Sequence, residues 1–299
     1  MQLQPWLIPY QQQLTTLLQN NQLAHGLLIS GPAGIGKSVL ANWLAASLLC
    51  TEQLKPCGKC KSCLLRLAGS HSDLLIIDSS GSSIGVDSVR QLSQFMYGRA
   101  QQQLNKVVLL ADAEKLTEAA ANALLKTLEE PPQNSFLLLQ TRASNTLAAT
   151  LLSRCQHWAL AAEFSAATLH WLTQHSNRAV PEFLLTYCAG GPLKALSMLE
   201  SGEADQLQLT LHNLNQFLAD KLTLQDIVKQ LDGVSELRQL LGWFLTQQLL
   251  PAMTGQDPQR ILAIHQLYSR WCRDEMQILG QNKVLALSAF LTELKRLQG

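Results

Sequence analysis

Two short stretches of this 299-residue chain combine residue types that do chemistry only at particular spacings. The first is Gly31-Pro-Ala-Gly34-Ile-Gly36-Lys37-Ser38, which fits the pattern GxxxxGK[ST]. Its glycines let the backbone curl so that N–H groups face a phosphate. Lys37 supplies a point charge toward the β and γ phosphates, and Ser38 offers a hydroxyl to Mg²⁺. Nucleotide binding is the chemistry that this loop predicts, and binding does not by itself imply hydrolysis. The second stretch is Cys57-Gly-Lys-Cys60-Lys-Ser-Cys63, with Cys50 seven residues upstream. Four thiolates close a tetrahedral Zn²⁺ shell, and the intervening Gly and Lys favour tight turns and offset the negative charge. An iron–sulfur cluster takes the same ligands, and spacing alone does not separate the two metals. Zinc is the expectation. Either way, a closed four-thiolate site fixes a local fold and leaves no open position for activating water.

Hydrolysis needs more than a phosphate loop. An acid at the end of a neighbouring strand must hold the hydration shell of the metal, and a second one commonly orients water. The run Val107-Val108-Leu109-Leu110 leads into Ala111, Asp112, Ala113 and Glu114. Asp112 is the candidate, but it sits one position later than the usual aspartate and faces the opposite side if the strand continues. The plainer alternative is that Asp112 and Glu114 begin the next helix, where acids suit the positive end of the dipole.

The elements that position these residues read as alternating strands and helices up to about residue 160. The β-prone runs are Leu27–Ser30, Leu74–Asp78, Val107–Leu110, Phe136–Gln140 and Gln156–Leu160. Val86, Val89, Leu92 and Met96 recur at helical spacing, as do Ala121, Leu124, Leu125 and Leu128 before Pro131-Pro132. Such alternation predicts a parallel sheet with helices on both faces, and the stripes are core. The phosphate loop directly follows the first strand and opens a helical run over Val39–Leu49, the context that the motif requires. From about Ser165 the β signals vanish and the rest is expected to be α-helical. Breaks are expected at Gly190-Gly191-Pro192 and Ser201-Gly202, and Asp257-Pro258 reads as a helix start. Leu237, Leu240, Leu241, Phe244 and Leu245 form one apolar stripe, and Ile261, Ile264, Tyr268 and Trp271 another. These signals divide the chain at about 1–163, 164–204 and 205–299.

Lys and Arg number 23 against 22 Asp and Glu, a formal net charge of +1, which speaks against an autonomous nucleic-acid binder. The 47% hydrophobic content supports filled cores. The first twenty residues lack a basic region followed by an apolar stretch, and no later run suggests a membrane span, so the expected location is cytoplasmic. In a reducing compartment a tight cysteine cluster reads as a metal site before it reads as disulfides. No acidic constellation suited to nucleotidyl transfer is present, so polymerase activity is not expected.

The phosphate loop, the cysteine module, Ala119-Ala-Ala-Asn122-Ala-Leu-Leu-Lys126-Thr-Leu-Glu129-Glu-Pro-Pro132 and Ser153-Arg154-Cys155 occur in an order and at spacings that resemble bacterial clamp-loader subunits of the AAA+ superfamily. Ile84-Gly85-Val86-Asp87 and Arg90 are also similar to that family. The resemblance is strong over about residues 20–200 and weaker beyond. It implies a RecA-like AAA+ module with an inserted zinc-binding loop, then a small helical lid, then an all-α collar bundle that joins subunits into a pentameric ring. The implied partners are gamma/tau and delta subunits, and through the complex the β sliding clamp and primed DNA. It implies that Arg154 projects into the nucleotide site of the next subunit as a trans-acting finger; an intramolecular ion pair is the alternative. Thr141 resembles a residue that senses the γ-phosphate. Gly190–Leu196 resembles a second sensor, with Leu193 where hydrolysing members carry Arg. That departure and Ala111 resemble the delta-prime branch more than the ATP-hydrolysing gamma/tau motor, the alternative reading. The intact phosphate loop departs the other way, since some delta-prime sequences have a degenerate one, so ATP and Mg²⁺ remain candidate ligands. Arg90, Arg99 and Lys106 are candidates to touch the DNA backbone, and solvated surface charge is the alternative for each.

Overall fold

Runs such as Gly26–Ser30 and Lys106–Leu110 are buried along their whole length, as expected of strands in a sheet covered on both faces. The computed structural model describes residues 3–52, 56–79, 83–102, 105–234, 236–253, 258–278 and 282–298. In it β1 (Gly26–Ser30), β2 (Leu74–Ile77), β3 (Lys106–Leu110), β4 (Ser135–Thr141) and β5 (Gln156–Ala159) form one parallel sheet in the order β2-β3-β4-β1-β5. Each lies within a residue or two of the run that predicts it.

Because side chains alternate along a strand, the sheet feeds two cores. Leu27, Ile29, Val107, Leu109 and Leu138 pack with α1 (Ile8–Gln19) and α2 (Lys37–Leu49). Leu28, Val108, Leu110, Leu137 and Leu139 pack with α4 (Val86–Tyr97) and α5 (Glu118–Glu129) on the other face. Between α2 and β2 lies α3 (Lys61–Leu67), and α6 (Ala149–Leu152) precedes β5. The α5 stripe buries Ala120, Leu124 and Leu128, and the helix stops at Glu129 ahead of the two prolines.

After β5 every regular element among the described residues is helical: α7 (Ala166–Ser176), α8 (Glu182–Tyr187), α9 (Pro192–Ser201), α10 (Glu203–Leu218), α11 (Leu224–Leu231), α12 (Leu237–Phe244), a π-helical stretch at Leu245–Leu249, α13 (Leu250–Ala252), α14 (Pro258–Gln277) and α15 (Lys283–Gln298). Two compact units result, Met1–Ser197 and Met198–Gly299. In the second, α14 packs on α15 through Trp271 and Phe290, with ring centroids 5.2 Å apart, and α10 and α11 add Leu211, Leu214, Ile227 and Leu231. Asp257, expected to cap α14, lies outside the described residues. Among the described residues no helix is long and apolar enough to cross a membrane.

Candidate functional site

Parallel order brings the carboxyl ends of β1, β3 and β4 to one edge, and the phosphate loop hangs from β1 there. Gly31, Gly34 and Gly36 take φ of +150°, +76° and +108°, which residues with a Cβ rarely adopt, and the Gly31 N–H donates to the Thr141 carbonyl at the end of β4. The loop is pinned from three sides. The Trp6 indole donates to the Ile35 carbonyl at 2.7 Å, Leu7 lies against Gly36, and the Leu193 N–H donates to the Gly34 carbonyl at 2.8 Å. A Cβ on Gly191 would stand 1.9 Å from the Ala33 carbonyl oxygen, so only glycine permits the turn before α9 to approach this closely. The segment Gly190–Leu196 therefore meets the loop through its backbone.

Lys37 donates to the Gly31 and Pro32 carbonyls at 2.7 and 2.9 Å. Burial lowers its pKa from the ordinary lysine value, and of the surrounding charges the Glu114 carboxylate opposes that most, ahead of Asp112. Ser38 donates its hydroxyl hydrogen to buried Gln140 at 2.7 Å, which leaves the oxygen lone pairs for a cation. The carbonyl groups of Gly31, Pro32, Gly34 and Ile35 accept hydrogen bonds within the protein, while the glycine-rich turn and the start of α2 supply the N–H groups that bind anions. These residues fit a nucleoside triphosphate with Mg²⁺. Thr141 is buried at the end of β4 and donates to the Ala143 carbonyl at 3.1 Å.

The acids beyond β3 do not behave as a continued strand. Asp112 takes the left-handed conformation, with φ +49°, and a 3₁₀ turn follows at Ala113–Lys115. Asp112 accepts from the Ser79 hydroxyl at 2.9 Å and pairs with Lys115 at 3.4 Å. Burial works against its ionisation, but Ser79 and Lys115 outweigh that and hold the carboxyl below its usual range. Glu114 is turned inward, its Oε1 3.9 Å from Arg142 Nε and its Oε2 buried without a hydrogen-bond partner. Sequence periodicity pointed to neither Glu114 nor Gln140, because a left-handed turn and a polar strand end carry no repeat.

At the other end of α2, Cys50 terminates the helix, and Cys57, Cys60 and Cys63 come from the loop and the start of α3. All four Sγ atoms lie within 4.8 Å of one another, with Cys50–Cys60 and Cys57–Cys63 both 3.9 Å. A tetrahedral zinc with Zn–S bonds of about 2.3 Å separates its sulfurs by about 3.8 Å, so the set fits the ion. Backbone N–H groups of Lys59 and Cys60 donate to the Cys57 sulfur, and that of Cys63 to the Cys60 sulfur. Burial opposes ionisation of Cys60, yet hydrogen bonds from Thr51 and Cys63 bring its thiol down to about 6. Burial, with Cys60 and Cys50 beside it, pushes Cys63 up to about 12. Four such thiols ionise together only around a cation. His71, buried behind the cluster, accepts from the Asp73 N–H on Nδ1. Its Nε2 meets the Ser62 hydroxyl, and that hydroxyl donates to the Leu49 carbonyl.

The remaining candidates lie apart from both sites. Arg154, just before β5, donates from Nε to Glu129 Oε1 at 2.8 Å and from a terminal nitrogen to the Thr150 carbonyl at 3.0 Å. Burial raises the Cys155 thiol to about 11, and the side chain packs against the core beneath α4 and α5. Arg90 is exposed and pairs with Asp87 at 3.0 Å. Lys106 departs from expectation: it is buried, its ammonium donates to the Phe95 carbonyl at 2.6 Å near the end of α4, and it stands 4.4 Å from the Phe95 ring centroid. It caps a helix and is not a surface contact for DNA.

Residues 9–164 match the sequence profile of a family described as DNA polymerase III, delta subunit. Similar proteins include DNA polymerase III subunit delta-prime of Haemophilus influenzae, 43% identical over 68% of this chain and 64% of that protein. The delta-prime subunits of Yersinia pestis and Pseudomonas aeruginosa are each 35% identical, over 98% and 96% of this chain and 86% and 90% of theirs. Among solved structures, a DNA polymerase III gamma subunit-related protein from Thermotoga maritima superposes with a TM-score of 0.50 at 18% identity, covering 96% of this chain and all of that one, which is a likeness of fold.

Proposed function

This chain belongs to the delta-prime family of DNA polymerase III subunits, and from that premise we propose that it serves the replicative holoenzyme as a clamp-loader subunit. Its task is to help place the β sliding clamp on primed DNA, within a hetero-pentamer that also holds gamma/tau and delta subunits. Three parts divide the work: an AAA+ module at 1–163, a helical lid at 164–204 and a helical collar at 205–299.

Arg154 is the residue offered to a neighbouring subunit's ATP. In the isolated chain its guanidinium makes the intramolecular ion pair that is the alternative reading, with Glu129, and donates to the Thr150 carbonyl; the observation that carries the finger reading is that the side chain is 33% exposed and has no partner in the chain's own phosphate loop. A guanidinium facing developing phosphoryl charge accelerates transfer by roughly 10³-fold or more. In a reconstituted loader with clamp and primed DNA, Arg154→Ala is expected to cut ATP turnover by about that factor with the complex still assembled. Arg154→Lys should rescue little, because an ammonium lacks the planar fork. Unchanged turnover in both variants would make Arg154 a structural residue.

The chain's own loop supports a second role, nucleotide binding without efficient turnover. Gly31, Gly34 and Gly36 shape the loop, Lys37 supplies charge, and Ser38 has its lone pairs free for Mg²⁺. Against turnover stand Ala111 at the strand end, Asp112 committed to Ser79 and Lys115, and Leu193 on the loop where an arginine serves hydrolysing relatives. Thr141 is the candidate sensor. We assign zinc to Cys50, Cys57, Cys60 and Cys63, where it supplies a structural cross-link between α2 and α3 and no catalysis.

A further inference from the structure

We propose that Glu114 is the acid of this nucleotide site, its inner carboxylate oxygen accepting hydrogen bonds from the water shell of the divalent cation that accompanies a nucleoside triphosphate. The inference rests on the reading of the phosphate loop as a nucleotide site and names a residue within it. Three observations carry it.

First, the acid that follows β3 in sequence is already in use. Asp112 has turned into the left-handed conformation and is held by Ser79 and Lys115. Second, the same turn sends Glu114 inward, where Oε2 is buried and has no donor. A buried carboxylate oxygen without a hydrogen bond forfeits its hydration for nothing, and native proteins keep few such groups without a purpose. Its other oxygen meets only the loose 3.9 Å contact with Arg142, whose side chain is largely exposed. Third, Glu114 lies against Arg142, the residue after Thr141, whose carbonyl takes the Gly31 N–H, so the unused acceptor is brought to the edge that holds the phosphate loop, where its charge also acts on the Lys37 ammonium.

The chemistry fits a hydrated cation better than a direct ligand bond. Mg²⁺ dehydrates reluctantly and keeps several waters, which are donors, and an unpaired carboxylate oxygen is an acceptor that suits them.

The test is binding of N-methylanthraniloyl-ATP to the full chain, followed by fluorescence, with Mg²⁺ and with excess EDTA. A charge-assisted hydrogen bond is worth roughly tenfold in an equilibrium constant, so Mg²⁺ is expected to tighten wild-type binding by about that factor or more. Glu114→Gln should lose most of the gain, read for each protein as the ratio of its own affinities with Mg²⁺ and in EDTA. Glu114→Asp keeps the charge but draws it back by one methylene and should show an intermediate gain, which keeps the test open if the glutamine variant folds poorly. A full Mg²⁺ gain in both variants, or its loss in Asp112→Asn alone, overturns the assignment of Glu114 and leaves the nucleotide site standing. No saturable binding by wild type, or binding untouched by Lys37→Ala, overturns the nucleotide site and the role of Glu114 with it.

Discussion

At the scale of single residues, the two chemistries of the molecule use opposite strategies for charge. Around the phosphate loop, charges are kept in excess of their partners: Lys37 leans on two carbonyls, and Glu114 has an oxygen with no donor. At the cysteine cluster, charge is suppressed until a cation arrives. One thiol is drawn down to about 6 while burial raises another to about 12. A metal reverses this by converting burial from a penalty on each thiolate into insulation of the bound ion. Elemental analysis of the purified chain is expected to find about one zinc and no iron. Cys60→Ser should lose most of it and lower the melting temperature, because a three-thiolate set leaves the ion an open position. Iron with acid-labile sulfide would replace zinc by a cluster, and full zinc retention by the serine variant would remove Cys60 from the shell.

At the scale of elements, the cysteine module is tied to the sheet by a relay of hydrogen bonds that has a definite protonation state. His71 Nδ1 accepts from the Asp73 N–H, so its hydrogen is on Nε2 and is given to Ser62, whose own hydrogen goes to the last turn of α2; the ring is neutral. Burial lowers the His71 pKa from the ordinary 6.5, against the opposing pull of Asp73. A histidine whose folded pKa is depressed contributes stability in full above the unfolded value and loses it as pH falls from about 6.5 through the folded value, since the unfolded chain takes the proton first. The stability difference between wild type and His71→Gln is therefore expected to be largest at pH 7–8 and to shrink toward pH 5. Measuring the difference removes the thiols, which titrate in both proteins. A difference independent of pH would mean that the ring is no pH-dependent support. Relays of this kind were not legible in the sequence, whereas the five strands and the α4 and α5 stripes were, because apolar periodicity is a local signal. The four cysteines and the phosphate loop were legible for the same reason. Gly34 against Leu193, Glu114 against Arg142 and Lys106 under the end of α4 join residues far apart in the chain, or reverse an exposure that a charged residue implies, and no repeat announces them.

At the scale of the whole molecule, the near balance of charge sets what contact with DNA is available. With a formal net charge of +1 the chain has no overall basic excess, and one buried lysine subtracts from the basic groups that the sequence offered. Arg90 and Arg99 remain, both exposed, with Arg90 at the start of α4 spending part of its charge on Asp87. A phosphate must outbid that exposed ion pair, which is worth little in water. The isolated chain is accordingly expected to bind primed DNA weakly at about 0.15 M salt, since non-specific affinity grows with the number of phosphates neutralised. In the assembled loader, Arg90→Ala should weaken DNA binding equally for unrelated sequences and reduce the slope of log affinity against log salt by about one. A fluorescence-anisotropy titration at four or five salt concentrations reads both quantities. An unchanged slope would leave Arg90 as a solvated partner of Asp87, and tight, salt-sensitive binding by the isolated chain would mean that a basic surface exists which a net charge of +1 conceals.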